Sequence, residues 1–436
     1  MFSDNILNSI GEIIKDKKVY LVGGYLRNYF LNNEISSDRD LAVLGDSRAL
    51  ALELAQKLNG VFVELDNENE IYRVVLEDKI NYFDISKIIN NNVLEDINRR
   101  DFTINSIFYD LNKKEILDPL NGINDIKNKI LKTGKLNNFI DDPLRFLRLY
   151  RFMSLTGFSV DDTLANFIKE NFSLINNVAK ERINYEIIKI FEGEYVVEVL
   201  LKMLEDETLE IIFPFVKEVK KIPSNSHHHL DLIHHLIETV KNIRINNPIL
   251  KIAAFYHDIG KPKTWSIETN GRHRFIGHDI IGAQIAAKEL EDLKFSNKQI
   301  VYITKMIKYH IYPATLINCT DNKKAFARFV RKLGNDSLDV LELSRADRLS
   351  AQGEAITDEI IEKSLKHLEE LKKYYESVKD IVASPKSFLD GKEVMELLKI
   401  KPSKKVGEVL EQIKEMQLTG EIKTKEEAIS FVVKNF

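Results

Sequence analysis

Apolar and polar positions follow two different rhythms along this chain. Near the N-terminus they come in short β-branched and aromatic runs. The run V-Y-L-V-G at residues 19–23 closes on Gly23-Gly24, which predicts a buried strand turning into a helix near Tyr25. Further strands are predicted at 41–44, 61–65, 72–76 and 80–85, with a helix over 49–58 between them. The first part of the chain therefore reads as mixed α/β. Beyond Asp125 apolar residues recur at spacings of three and four almost to the C-terminus, the period of helices that bury one face. Helix punctuation interrupts that rhythm at 214–223 and 383–387.

Composition narrows the field. With 436 residues, 44% of them hydrophobic, the chain has apolar material for several folded domains. Lys and Arg total 63 against 67 Asp and Glu, so there is no global basic excess and an RNA site must be a local patch. The single cysteine, Cys319, excludes a disulfide framework and a zinc site built on cysteines, and it fits a reducing compartment. The apolar runs fall short of the roughly 20 residues a membrane span needs. The N-terminus lacks a basic start followed by an apolar core, so a cytoplasmic protein with no membrane partner is expected.

The first candidate chemistry lies in G-G-Y-L-R (Gly23 to Arg27), followed eleven residues later by D-R-D (Asp38 to Asp40). Carboxylates at i and i+2 of an extended segment share a face, so Asp38 and Asp40 can hold a divalent cation at one point. Phosphoryl transfer uses that arrangement to activate a hydroxyl and neutralise a leaving pyrophosphate. Gly23 and Gly24 before a helix let backbone N–H groups approach a triphosphate, and Arg27 adds a bidentate contact. Asp84 in N-Y-F-D-I-S is the best placed third carboxylate. Each piece alone is common, a glycine pair being most often a turn; the ordered set is what carries weight.

Two further segments, R-R-D-F-T-I-N-S-I-F-Y-D (Arg99 to Asp110) and D-D-P-L-R-F-L-R-L-Y-R-F (Asp141 to Phe152), complete the set, with A-K-E-R-I-N-Y-E (Ala179 to Glu186) as a fifth motif. Together they resemble the class II tRNA nucleotidyltransferase family, the CCA-adding enzymes and their bacterial poly(A) polymerase relatives. The resemblance implies that Asp142 and Arg145 read the base of CTP or ATP, that Arg100 and Asp101 contact ribose and triphosphate, and that Arg148 and Arg151 meet phosphates. Pro143 is suited to open the helix that carries them. Taken in isolation, the same arginines read as a solvated or salt-bridged helix. Two departures stand out: Asp141-Asp142 replaces the family's usual Glu-Asp, and only fifteen positions separate Asp84 from Arg99. Many members carry a longer loop there, associated with the switch to A addition, so this chain resembles CC-adding members.

The second candidate is histidine-rich. Nine of the 10 histidines lie between His227 and His310, and H-D-I-G-K-P (His257 to Pro262) is the most specific piece. An adjacent His and Asp, joined by ligands from other helices, can build an N/O site for one or two metals. The segment resembles the HD phosphohydrolase superfamily, which implies His235, His257, Asp258 and Asp347 as primary ligands, with His278 and His310 completing a second position. Hydrolysis of a phosphomonoester or phosphodiester is the implied activity, and a helical spacer that keeps the ligands without turnover is the alternative. His227, His228 and His229 read as local capping or surface, and Trp265, Tyr150 and Phe152 as core.

The expected architecture is thus an α/β nucleotidyltransferase head of the polymerase-β-like type followed by mostly helical domains. The head spans 1–125, a helical neck and body 126–222, an HD domain 223–350 and a helical tail 351–436. The tail resembles the family's tRNA-binding segment, which holds the acceptor stem and T-arm. The expected reaction is Mg²⁺-dependent addition of CMP, with AMP as an extension, to the tRNA 3′ end from CTP and ATP without a template strand. No DNA partner is expected, and Mn²⁺, Ni²⁺ or Fe²⁺ would suit the HD site. The alternatives are a poly(A) polymerase and an HD phosphohydrolase regulated by a nucleotide-binding head.

Overall fold

A computed structural model describes residues 4–224, 229–269, 273–319, 322–383 and 387–436. Its contacts divide the chain into two units: Met1–Tyr195 with Asp206–Thr208, and Val196–Glu205 with Leu209–Phe436.

The first unit is built on a seven-stranded mixed sheet of order β3-β4-β5-β2-β1-β6-β7. Its strands are β1 (Lys18–Val22), β2 (Asp38–Leu44), β3 (Val61–Asp66), β4 (Ile71–Val75), β5 (Tyr82–Lys87), β6 (Phe108–Asp110) and β7 (Glu115–Leu117). β2 runs parallel to β5 and antiparallel to β1, in a register that sets Asp40 beside Asp84 and opposite Val22. Three differences from the sequence reading have local causes. β2 begins at Asp38, so both carboxylates lie on the strand itself. β5 starts at Tyr82 because Asp78 accepts hydrogen bonds from the amides of Ile80 and Asn81, which holds those residues in a turn. β6 and β7 have only three residues each, too few to show a period. The predicted helix over 49–58 spans Ser47–Lys57, started by the Asp46 side chain on the Ala49 amide.

Apolar side chains cover most of the face that carries Asp40: Tyr20, Val22, Ala42, Ile88, Ile97 and Phe108 pack there as one cluster. The carboxylates thus stand at the end of a hydrophobic layer. On the opposite face, Arg39 is buried and donates from Nε to Asp4 Oδ2 at 2.9 Å, while Tyr25 Oη donates to the same carboxylate oxygen at 2.9 Å. Asp4 also caps the first helix on the amides of Ile6 and Leu7. After the sheet, helix Leu144–Thr156 packs against helix Lys180–Glu192. Tyr150 and Phe152 are buried, as expected for core residues.

The second unit is helical apart from the hairpin Trp265–Ile267/His273–Phe275. Helices Leu232–Asn242, Pro248–Tyr256, His278–Asp292, Asn297–Tyr309 and Ser337–Ser350 form its histidine-rich part. Asp358–Ala383 follows, and then three helices close around Val394, Val409, Ile413, Ala428 and Val432. Trp265 is not core: on the hairpin it stays 37% exposed, beside the His273 ring, because a two-stranded ribbon buries little on its own. His229 is exposed, while His227, His228 and residues 384–386 of the second expected break lie outside the described residues.

Burial pushes the Asp4 carboxyl up, but Arg39, the Leu7 amide and Tyr25 outweigh it and hold it below the ordinary carboxylate range. A lowered folded-state pKa means that the stabilisation is present above the unfolded value of about 3.9 and is lost as the pH falls through the folded one. Asp4→Asn leaves Arg39 buried without its counter-charge and should cost about 3 kcal/mol. Hydrogen exchange of the β1 and β2 amides checks this, and the variant should also lose part of the acid limb of the stability profile.

Candidate functional site

Gly23 from the turn after β1, Gly24 and Arg27 from the helix Gly24–Asn32 that follows it, Asp38 and Asp40 from β2, Arg100 and Asp101, and Asp142, Arg145, Arg148 and Arg151 line one cavity of about 510 Å³. Asp84 joins it from β5: Asp38, Asp40 and Asp84 each offer an oxygen within 4.8 Å of the others. Gly23 makes the turn possible. Its φ is +72°, and a Cβ there would stand 2.5 Å from Asp40 Oδ2. The Gly24 amide donates to the Asp40 carboxylate.

Three carboxylates at one point repel. Burial, then Asp38 and Asp84, push Asp40 up to about 7, and burial with Asp84 raises Asp38. Asp38 Oδ1 is buried with no hydrogen-bond partner among the described residues. An orphaned carboxylate oxygen beside two others is a donor set that fits a hard divalent cation. Arg73 meets Asp84 in a bidentate pair at 2.7 Å on both oxygens and stacks 4.1 Å from the Tyr82 ring centroid.

Opposite the carboxylates the cavity is basic. Burial pushes the Asp101 carboxyl up, but Arg148 and Asn105 pull it down to about 2; Arg148 donates to it from Nε at 2.8 Å and again from Nη2. Arg151 pairs with buried Glu186 at 3.0 Å. Arg27 donates to Asn105 Oδ1 at 2.8 Å, and burial lowers its pKa to about 10. Arg145 donates to the Asn138 carbonyl at 3.0 Å, while Asp142 accepts from Arg182 at 3.1 and 3.2 Å.

Arg99, Asn105 and Arg182 also line the cavity, and the sequence reading gave them no role. Arg182 sits in A-K-E-R-I-N-Y-E one turn before Glu186, a spacing that puts both on one helix face. Nothing in the sequence pairs them with Asp142 and Arg151. Arg73 likewise gave no signal; only the β4–β5 register brings it to Asp84.

The histidine cluster forms in the second unit, with His257 and Asp258 at the end of one helix and the other ligands on or beside four more. Asp258 Oδ2 lies 3.2 Å from His257 Nε2 and 3.5 Å from His235 Nε2; its Oδ1 lies 3.1 Å from His278 Nε2 and 3.6 Å from His310 Nε2. Asp347 Oδ1 stands 3.2 Å from His235 and 3.5 Å from His257. The expected ligands therefore form two sets that share Asp258. The Nδ1 atoms of His257, His278 and His310 meet the carbonyls of Ala254, Phe275 and Ile307 at 2.6–2.8 Å, which presents each Nε2 inward as an acceptor. Asp258 Oδ1 is a second orphaned buried oxygen, so these residues also fit a cation. Lys261 Nζ reaches Asp258 Oδ2 at 2.5 Å. Against burial, Lys261 and His257 hold Asp258 well below the carboxylate range. Gly260 is required for packing: a Cβ there would lie 2.0 Å from the His278 carbonyl oxygen. Beside the cluster a cavity of about 280 Å³ is lined by Lys261, Ser344, Arg348 and His367 together with apolar side chains.

The comparisons with known proteins follow this division. A family model described as the poly A polymerase head domain matches residues 19–132, a probable RNA and SrmB-binding site of polymerase A matches 157–220, and an HD domain matches 226–352. The chain is 28% identical to an A-adding tRNA nucleotidyltransferase of Deinococcus radiodurans, with 94% of each chain covered. The chain belongs to the class II tRNA nucleotidyltransferase family. This nucleotidyltransferase is also 27% identical to a CC-adding tRNA nucleotidyltransferase of Thermus thermophilus, covering 96% of this chain and 93% of the other. Its fold is that of a Bacillus stearothermophilus CCA-adding enzyme in complex with CTP, at a TM-score of 0.66 and 19% identity over 99% of this chain and 95% of that one. Among the described residues of the nucleotidyltransferase, no helix is long and apolar enough to cross a membrane.

In this nucleotidyltransferase Gly23→Ala should displace the Asp40 carboxylate. Mn²⁺, used as a paramagnetic probe of the head, should bind about tenfold more weakly, a loss near 1.4 kcal/mol. Gly45→Ala is the control: it too has positive φ, but nothing lies within 4 Å of its Cβ. Equal Mn²⁺ affinity in the two variants would refute the role given to the Gly23 turn.

Proposed function

We propose that this chain adds CMP, without a nucleic-acid template, to the 3′ end of tRNA from CTP, with Mg²⁺ held by Asp38 and Asp40. The observation that carries the reading is the convergence of the D-R-D carboxylates and the D-D-P-L-R helix on one cavity. The 3′ hydroxyl oxygen forms a bond to the α-phosphorus, the bond to the β-bridging oxygen breaks, and pyrophosphate leaves. Bound cations supply charge neutralisation at the phosphates and acidify the hydroxyl. The protein does the positioning. The Gly24 turn, Arg27, Arg148 and Arg151 face the triphosphate, and Arg100 and Asp101 the ribose and phosphates. Asp84 completes the acidic group. Asp142 supplies an acceptor for the amino group of cytosine, and Arg145 donors for its ring acceptors, so two side chains stand where a template base would.

Between β5 and Arg99 the chain forms only a short 3₁₀ turn, Ile89–Asn91, and the helix Val93–Asn98. That compact connection favours a CC product, with complete CCA or a single A as the alternatives that the named relatives represent. The head at 1–125, the neck and body at 126–222, the HD domain at 223–350 and a tail at 351–436 that holds the acceptor stem and T-arm describe the division of labour in a cytoplasmic enzyme. Sizing the products on tRNA lacking its 3′ end, with CTP alone against CTP plus ATP, tests the reading; long A tracts on unrelated RNA would instead identify a poly(A) polymerase. Asp38→Ala should abolish incorporation while leaving the fold intact.

A second activity follows from the histidine cluster. His235, His257, Asp258 and Asp347, with His278 and His310, would hold one or two ions of Mn²⁺, Ni²⁺ or Fe²⁺ for hydrolysis of a phosphate ester such as a 2′,3′-cyclic phosphate. A bound metal would polarise the phosphate and supply hydroxide. Turnover of a 2′,3′-cyclic nucleotide should survive Asp40→Ala and disappear with Asp258→Ala; no turnover with any of these metals would leave the domain a helical spacer.

A further inference from the structure

Three guanidinium groups of the head cavity gather on one aromatic ring. Arg151 Cζ lies 4.8 Å, Arg27 Cζ 5.0 Å and Arg148 Cζ 5.6 Å from the centroid of Phe152. The ring is buried, lines the cavity, and is itself backed edge-on by Phe102 at 5.3 Å. We propose that Phe152 is a positioning residue for the triphosphate: its π face is the shared support that holds Arg27, Arg148 and Arg151 side by side with donors left for phosphate oxygens.

The electrostatics favour such a support. Three cations close together in a partly dry cavity repel one another. Arg148 has Asp101 and Arg151 has Glu186 as hydrogen-bonded carboxylates. Arg27 has neither: its donors go to the amide oxygens of Asn28 and Asn105, and no carboxylate is hydrogen bonded to it among the described residues. A further carboxylate on Arg27 would occupy its donors and compete with phosphate. An aromatic face instead attracts a cation through its quadrupole without accepting its N–H groups in the guanidinium plane. Phe152 falls three residues after Leu149 and six after Phe146 on the buried face of its helix, which is why the sequence reads it only as core. The tertiary fold brings Arg27 to it from the first turn of helix Gly24–Asn32.

This inference rests on the nucleotide reading of the cavity, and the test separates the two. Phenylalanine at 152 is replaced in the full-length protein by 4-fluoro-, 3,5-difluoro- and 3,4,5-trifluorophenylalanine, which nearly keep the shape of the ring while draining its quadrupole. Affinities for CTP and CMP are measured with each. The expected result is a stepwise weakening for CTP, reaching about tenfold in the trifluoro protein, with CMP affinity changed by less than about twofold. A purely packing role for Phe152 predicts no such grading, so a CTP affinity constant across the series overturns the proposal, as does an equal loss for CTP and CMP. If the unsubstituted protein binds CTP no more tightly than CMP, the nucleotide reading of the cavity fails instead.

Discussion

Like charge held together against its own repulsion is the constraint around which the head is organised. Asp38, Asp40 and Asp84 stand within reach of one point because strand geometry leaves them no alternative: i and i+2 of β2 share a face, and the parallel β2–β5 register sets Asp84 beside Asp40. Burial first, and then that crowding, raise Asp40 to about 7. Relief comes from two sides. Arg73 takes up Asp84, and the orphaned oxygen of Asp38 leaves room for a cation. Arg39, between the two carboxylates in sequence, turns to the other face and is locked there by Asp4, so β2 cannot slip by one residue without burying both carboxylates.

Much of this was legible in the chain because it depends on local period. The D-R-D spacing, the Gly23-Gly24 turn and the helix opened by Pro143 each follow from one or two residues and their immediate neighbours. The family resemblance then brought Arg100, Asp101 and the arginines of helix Leu144–Thr156 to the same place. What the sequence left out is relational. Arg182 serves Asp142 across forty positions and Arg73 serves Asp84 across a hairpin, and neither pairing has a spacing signature. Phe152 hides for a different reason: a buried aromatic at helical spacing is indistinguishable from core until its neighbours are known. Trp265 errs the other way, since a lone indole reads as core although its ribbon has too few neighbours to bury it.

The histidine cluster repeats one local device. His257 and His310 each follow directly on the last residue of a helix, and their Nδ1 atoms meet the carbonyls three residues back, groups that a helix end otherwise leaves without partners. His278 does the same with Phe275 at the end of the hairpin. One hydrogen bond thus satisfies a stranded carbonyl and fixes which ring nitrogen is left to bind a metal. Asp258, next to His257, faces the opposite pair of histidines with its other oxygen, so the H-D dipeptide sets the centre of both ligand groups.

Base selection by side chains demands rigidity, because a donor or acceptor free to swing would satisfy any base. The first unit supplies it as a chain of fixed links. Arg145 is tied to the Asn138 carbonyl, and the Asn138 side chain donates to the carbonyls of Asn98 and Arg100 at 2.8 and 2.9 Å. The segment that carries Arg100 and Asp101 is therefore the same one that anchors the Arg145 end of the cavity. Asp142 is tied to Arg182, and Arg182 shares its helix with Glu186, which holds Arg151. One helix, Lys180–Glu192, thereby fixes both ends of the cavity at once. The distance between the Asp142–Arg145 end, proposed to read the base, and the Arg151 end, proposed to grip the triphosphate, becomes a property of two packed helices rather than of any loop.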